Sequence, residues 1–168
     1  MLDINHNMTE ESKLPSIMLS CGRKITTNSS YTDVDFRHSV YDATRLKGCT
    51  FNTCTFNKNS FVSSYLEKLT FIGGTIINCD FRGSHINNIT FRNVDLSYTN
   101  FSSSIMENIV FENCRLTSCK FLLCVLKSLH FEGGDDYEDV DFSSSTLSNI
   151  TTNSFDINKT KRFNCLNL

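Results

Sequence analysis

The sequence has a single proline and seven glycines in 168 residues, too few punctuating residues for a long disordered linker. It has no apolar stretch near the roughly 20 residues that span a bilayer. Ile17-Met18-Leu19 is too short for the apolar core of a secretory signal. It also has no marked charge excess. Sixteen Lys and Arg stand against eighteen Asp and Glu, a formal net of −2, too weak to argue for direct nucleic-acid binding or for an anionic membrane surface. His6, His38, His85 and His130 are the only histidines, and no nucleophile elbow, phosphate-binding glycine loop or His-Glu-x-x-His motif accompanies them. These absences argue against catalysis, a cofactor and a membrane span. The length allows one core.

What the chain has instead is a rhythm. From Phe36 to Phe131 every fifth residue is apolar without a miss. Neither a helix (period about 3.6) nor a flat strand (period about 2) gives a period of five. A chain that turns a corner every five residues does. Two residues before each large residue sits a smaller partner, such as Val34, Thr44, Cys49, Ser64 or Ile89. Alternation turns both to one side, as in a short strand. The intervening Asp35, Arg45, Thr50, Asp80, Asp95, Arg115 and Lys120 suit an outer face. A longer period of four pentads is also visible. It predicts that Phe51, Phe71, Phe91, Phe111 and Phe131 stack on one face as structural core. Two residues beyond the stack come Gly73, Asn93, Asn113 and Gly133. These tolerate positive φ, so a left-handed corner is expected there.

Val34-Asp35-Phe36, Cys79-Asp80-Phe81, Val94-Asp95-Leu96, Thr99-Asn100-Phe101 and Val140-Asp141-Phe142 carry a recognisable signature. It resembles the pentapeptide-repeat family, whose loose consensus is Ala, Asp or Asn, Leu or Phe, then two variable residues. The resemblance implies an all-β fold, a right-handed quadrilateral β-helix of about six coils with short terminal caps, roughly 25–30 Å long at a coil spacing of about 4.8 Å. Residues 1–30 then form a Ser/Thr/Asn-rich leader or amino-terminal cap, 31–152 the β-helix, and 153–168 a carboxy-terminal cap or tail. The small position departs from the consensus, with Cys, Ser, Thr, Ile and Leu in place of Ala. Ile and Leu there resemble the β-helical domain of bacterial type III secreted HECT-like ubiquitin-ligase effectors. The leader is similar to the uncleaved signals of type III secreted effectors.

Six of the eight cysteines, Cys49, Cys54, Cys79, Cys114, Cys119 and Cys124, occupy the small inward column; Cys21 and Cys165 lie outside it. In an unexported chain they are expected to be reduced, buried and metal-free. A spacing of five is not the close-paired zinc pattern, and no histidine shares their column.

The rhythm breaks once. After Phe131 the next large residues are Tyr137 and Phe142, so one residue is inserted, and six of the ten residues from Glu132 to Asp141 are acidic. The Asp-x-Asp-x-Asp-Gly order of a calcium loop is lacking. An insertion should bulge outward, which makes Asp135, Asp136, Tyr137, Glu138 and Asp139 the candidate partner-binding residues. No catalytic residue and no metal ligand is predicted. The expected function is a non-catalytic protein–protein interaction rod, a type III secreted effector or the recruiting domain of one. It would be housed in a bacterial cytoplasm with reduced thiols and delivered to the host cell. The alternative that the family resemblance implies is a DNA-mimicking gyrase-binding protein conferring inhibitor resistance. The partner is another protein, and the chain itself is expected as a monomer or as a homodimer through its carboxy-terminal end.

Overall fold

The computed structural model describes residues 26–134, 136–153 and 156–167. Among them there is no α-helix, only a 3-10 turn at Ile157–Lys159, and no helix long and apolar enough to cross a membrane. The chain is a β-solenoid whose coils pair in parallel at a constant register. Phe51 pairs with Phe71, Phe71 with Phe91, Phe91 with Phe111 and Phe111 with Phe131.

One face stacks β1 (Thr26–Thr27), β3 (Arg45–Lys47), β6 (Tyr65–Glu67), β9 (His85–Arg92), β10 (Ile105–Glu112), β11 (Val125–Glu132), β12 (Thr146–Ser148) and β14 (Leu166–Asn167) in that order. We call it the first face. The second carries β2 (Ser30–Thr32), β4 (Thr50–Asn52) and β7 (Thr70–Ile72), the ends of β9, β10 and β11, and β13 (Thr151–Thr152). The third holds β5 (Thr55–Asn57) paired with β8 (Thr75–Ile77), and the fourth is joined by isolated bridges such as Ser60 to Asp80. The first two faces thus form one continuous sheet, and the other two are built mostly from tight turns.

Side chains at the second position of the pentad, just before the large inward residue, explain much of that split. Asp35, Asp80, Asp95, Asn100 and Asp141 each accept a hydrogen bond from the backbone N–H two residues on, at 2.9–3.1 Å. That local bond favours a turn over a strand. Where Thr, Tyr, Ile or Val stands there instead, as at Thr50, Tyr65, Ile105 and Val125, the backbone stays extended.

From Thr26 to Thr152 every pentad also turns on a left-handed residue. The expected glycine and asparagine corner is present, with φ of +64° at Gly73, +55° at Asn93, +51° at Asn113 and +62° at Gly133. The same conformation recurs at all four corners, at residues as unsuited to it as Thr53, Lys58 and Leu123. Each non-glycine corner costs about 1 kcal/mol, so the inter-coil ladder and the core must override local preference.

The core is the pair of inward columns on each face. Phe51, Phe71, Phe91, Phe111 and Phe131 stack with centroids 4.8–5.2 Å apart. A second stack stands across the rod: Tyr41, Phe61, Phe81, Phe101, Phe121 and Phe142, 4.8–5.1 Å apart. Edge-on contacts such as Phe111 to Phe121, at 84°, lock the two together.

The coil count departs from expectation. The eight strands of the first face are separated by seven coil steps, where about six coils were expected. Two segments outside the repeat pattern supply the difference. At the start β1 pairs with β3, and at the end β12 pairs with β14 while Asp141 bridges Lys161. Most of the leader lies outside the described residues.

Replacing Phe91 by Ala should cost about 3–5 kcal/mol in urea titration, through the cavity left in a fully packed stack. Phe51→Ala should cost less. Its outer neighbour is Tyr31, only partly buried at the end of the rod, where neighbours relax more readily.

Candidate functional site

The inserted residue lies between Glu132 and Asp136. Up to Asn113, whose N–H reaches the Glu132 carbonyl, the hydrogen-bond step from one coil to the next is nineteen residues; from Leu116, which reaches the Asp136 carbonyl, it is twenty. Gly133 and Gly134 have φ of +62° and +76°, nearly the values of Gly73 and Gly74 (+64° and +79°) at the equivalent corner of a coil without an insertion, so both glycines still keep the regular register. A Cβ on Gly134 would stand 2.5 Å from the Cys114 carbonyl oxygen, so glycine is required there.

Asp135 lies outside the described residues. The other four candidates do not form one projecting group. Tyr137 is partly buried against the core, edge-on to Phe131, and its hydroxyl donates to the Gly133 carbonyl at 2.6 Å. It is the inward residue of its pentad, so the insertion does not release it as expected; an aromatic ring gains more from the core than from solvent. Asp136 accepts from the Thr117 hydroxyl at 2.6 Å and pairs with Arg115 at 3.3 Å. Asp139 pairs with Lys161 at 3.0 Å and keeps its ammonium protonated to higher pH. Glu138 is exposed and its carbonyl accepts from Ser118. Much of the acidic charge is thus compensated within the rod. Asp136→Asn with Asp139→Asn should lower stability by no more than about 1 kcal/mol, since exposed ion pairs contribute little; thermal unfolding checks this.

The densest array of nucleophile-type groups is inside. In the small inward column, Ser64 and Ser84 donate to the carbonyls of Tyr41 and Phe61 at 2.8 and 2.7 Å, one coil back. Cys79, Cys114, Cys119 and Cys124 make the same bond to Phe56, Phe91, Leu96 and Phe101 at 3.0–3.3 Å. Hydroxyl and thiol are interchangeable here because both are small donors to a buried carbonyl.

Burial pushes the thiols up, Cys79 to about 12 and Cys114 to about 11, with Cys119 and Cys124 also raised. The neutral thiol is therefore the form the fold prefers. Their stability contribution is complete below about pH 9 and declines as pH rises toward 11–12, because the unfolded chain releases those protons first. Unfolding by urea should become markedly easier over that window. At pH 8, native labelling should reach the half-buried Cys165 and leave the six buried thiols unmodified until the chain unfolds. Cys21 lies outside the described residues.

Cys114, Cys119 and Cys124 point at three different carbonyls rather than at one another. No group of three His, Cys, Asp or Glu among the described residues could hold a metal. His85 stacks on Tyr65 and His130 shares a 2.6 Å hydrogen bond with Thr151, on the outer sides of different faces. An interior gap bordered by Phe51, Phe56, Phe71 and Phe81 measures about 10 Å³ and has apolar walls throughout, too small for a substrate.

Sequence reasoning missed an outer feature. Among the described residues seven large hydrophobic side chains are exposed. Five of them, Ile105, Leu123, Val125, Phe163 and Leu166, lie at the corner between the fourth and first faces. The available signal was their register, since each occupies an outward or corner slot.

The family model for a pentapeptide repeat region matches residues 24–101. That for pentapeptide repeats in eight copies matches residues 96–133. The chain belongs to the pentapeptide-repeat family. No curated protein matches it significantly. Among solved structures it is similar to QnrB1, a plasmid-mediated fluoroquinolone resistance protein, with 19% identity, 86% of this chain and 83% of that one covered, and a TM-score of 0.42. It is also similar to HetL, a pentapeptide repeat protein involved in heterocyst differentiation regulation from the cyanobacterium Nostoc sp. strain PCC 7120, with 12% identity, 86% and 83% coverage and a TM-score of 0.33. A pentapeptide repeat protein from the Arabidopsis thaliana thylakoid lumen has 10% identity, 83% and 74% coverage and a TM-score of 0.27.

Proposed function

We propose that this pentapeptide-repeat protein is a non-catalytic protein-interaction rod, exported from a bacterium by type III secretion under the direction of residues 1–30. The observation that carries the interaction reading is the solid interior. Almost every slot of the two inward columns is filled by a buried side chain, and the buried hydroxyls and thiols are committed to backbone carbonyls. What the chain offers a partner is its outer surface, held rigid by the stacked coils. Cysteines that form no disulfide among the described residues are in keeping with a reducing compartment. The Ser/Thr/Asn-rich leader is the support for export.

The gyrase-binding, DNA-mimicking reading has less behind it. A mimic needs a face of uncompensated acid. Here Glu67, Asp80, Glu107, Glu112, Asp136 and Asp139 each face a Lys or Arg within 4 Å.

Two measurements test the proposal. A reporter fused behind residues 1–30 should enter host cells only when the donor has a working type III apparatus; entry independent of that apparatus overturns the export claim. The full chain should leave gyrase supercoiling unchanged and leave its quinolone sensitivity unchanged. Protection of the enzyme would establish the alternative instead.

A further inference from the structure

We propose that the corner bearing Ile105, Leu123, Val125, Phe163 and Leu166 is a docking site for a short apolar segment of a partner protein that carries one carboxylate. This rests on the interaction-rod reading and adds the place and the chemistry of the contact.

Strand propensity favours a β-branched residue at Ile105 and Val125, a role that Thr146 fills in the next coil, but folding makes no such demand at Leu123, Phe163 or Leu166. All five side chains occupy outward or corner slots, with exposures from 46% at Ile105 to 75% at Phe163. The equivalent outward slot on the second face is mostly polar, with Ser30, Thr50, Thr70, Thr90, a partly buried Val110, His130 and Thr151 in successive coils. On the first face it holds Tyr65, His85, Ile105 and Val125 in successive coils, then Thr146 and Leu166. Apolar side chains in such slots gain nothing from the core, and their clustering marks a contact surface.

The corner has relief as well. One coil presents Leu123 and Val125, the next presents Ser143, Ser144 and Thr146, and the last presents Phe163 and Leu166. Two bulky ridges therefore stand two coil spacings apart, about 10 Å, across a floor of small side chains. An extended segment with apolar side chains fits such a notch.

Charge selects the rest of the partner. On one flank Lys127 is paired with Glu107 at 2.7 Å, and on the other Lys161 is paired with Asp139 at 3.0 Å. Lys120 is exposed and takes part in none of the ion pairs found among the described residues, its in-register neighbours being Asn100 and Asp141. It stands one inward residue, Phe121, away from Leu122 at the edge of the notch. One carboxylate beside the apolar segment would complement it. A second copy would bring another unpaired Lys120, and a flat lipid surface would leave the notch unfilled.

The test is a selection of displayed twelve-residue peptides on the full chain. A labelled peptide of the resulting consensus is then titrated by fluorescence anisotropy. The consensus should contain two or more large apolar residues and an Asp or Glu. Leu123→Asn with Phe163→Ser should weaken binding at least tenfold while leaving the melting temperature near wild type. Leu123 is 65% exposed in a left-handed corner that asparagine tolerates better. Lys120→Glu should weaken it severalfold, and Asp136→Asn with Asp139→Asn should leave it unchanged. Failure to select a consensus, or equal binding by the Leu123/Phe163 variant, overturns the inference. So does self-association in sedimentation, or binding to phosphatidylserine vesicles, that the same variant abolishes. A protein partner that binds this variant as well as wild type would sink the docking site while leaving the interaction rod intact.

Discussion

The constraint on which everything else depends is the inter-coil ladder. Each coil hydrogen-bonds to the next at a spacing of about 4.8 Å, and the register places residue i beside residue i+20. Like is therefore packed on like, and Phe stacks on Phe along two sides of the rod. The ladder also sets the corners. Closing a four-sided coil requires a left-handed residue in every pentad, and the chain supplies Thr53, Lys58, Tyr98 and Leu123 at corners where glycine would be easier. No local preference explains those residues; packing of complete coils does. Stability is then close to a sum over neighbouring coils, which is why position along the rod matters as much as residue type.

The fold was legible because a period of five is a pattern that neither helix nor strand produces. The features that escaped reading did so for physical reasons. The second aromatic stack uses Tyr41, Phe61, Phe81, Phe101 and Phe121, all visible in the five-residue column. Seeing it requires knowing which pentads share a face at both ends of the rod. The final coil was hidden because its inward slots hold Thr152, Ile157, Arg162 and Asn167. Apart from Ile157 and Cys165, which pack against the core, the coil is held by backbone pairing, which leaves little hydrophobic signature. The acidic corner was located correctly as an insertion, but its consequence was not. An extra residue shifts the register of the downstream chain without removing it from the repeat, and so Tyr137 still turns inward.

The small inward column shows how one structural role hides behind several residue types. Ser, Thr and Cys alternate there because each can donate to a carbonyl one coil back. On the second face the column is aliphatic at Leu69, Ile89, Ile109 and Leu129, the last three inside β9, β10 and β11, which continue through the corner. There the backbone ladder continues across the corner, so a side-chain donor is not needed and apolar volume serves better.

The outer slots stand in contrast. The core fixes residue size and polarity on the inside, whereas an outward side chain on a solenoid touches mainly its counterparts one coil above and below. Pairs such as Lys47 with Glu67 and Arg92 with Glu112 use that freedom to neutralise charge along the rod. At a single corner the same freedom is used for exposed Leu, Ile, Val and Phe instead. Five-residue periodicity is blind to this choice, because polar and apolar outward residues serve the repeat equally well. Function in such a rod therefore resides in the positions that the fold leaves unconstrained, and those become readable only when register shows which of them are neighbours.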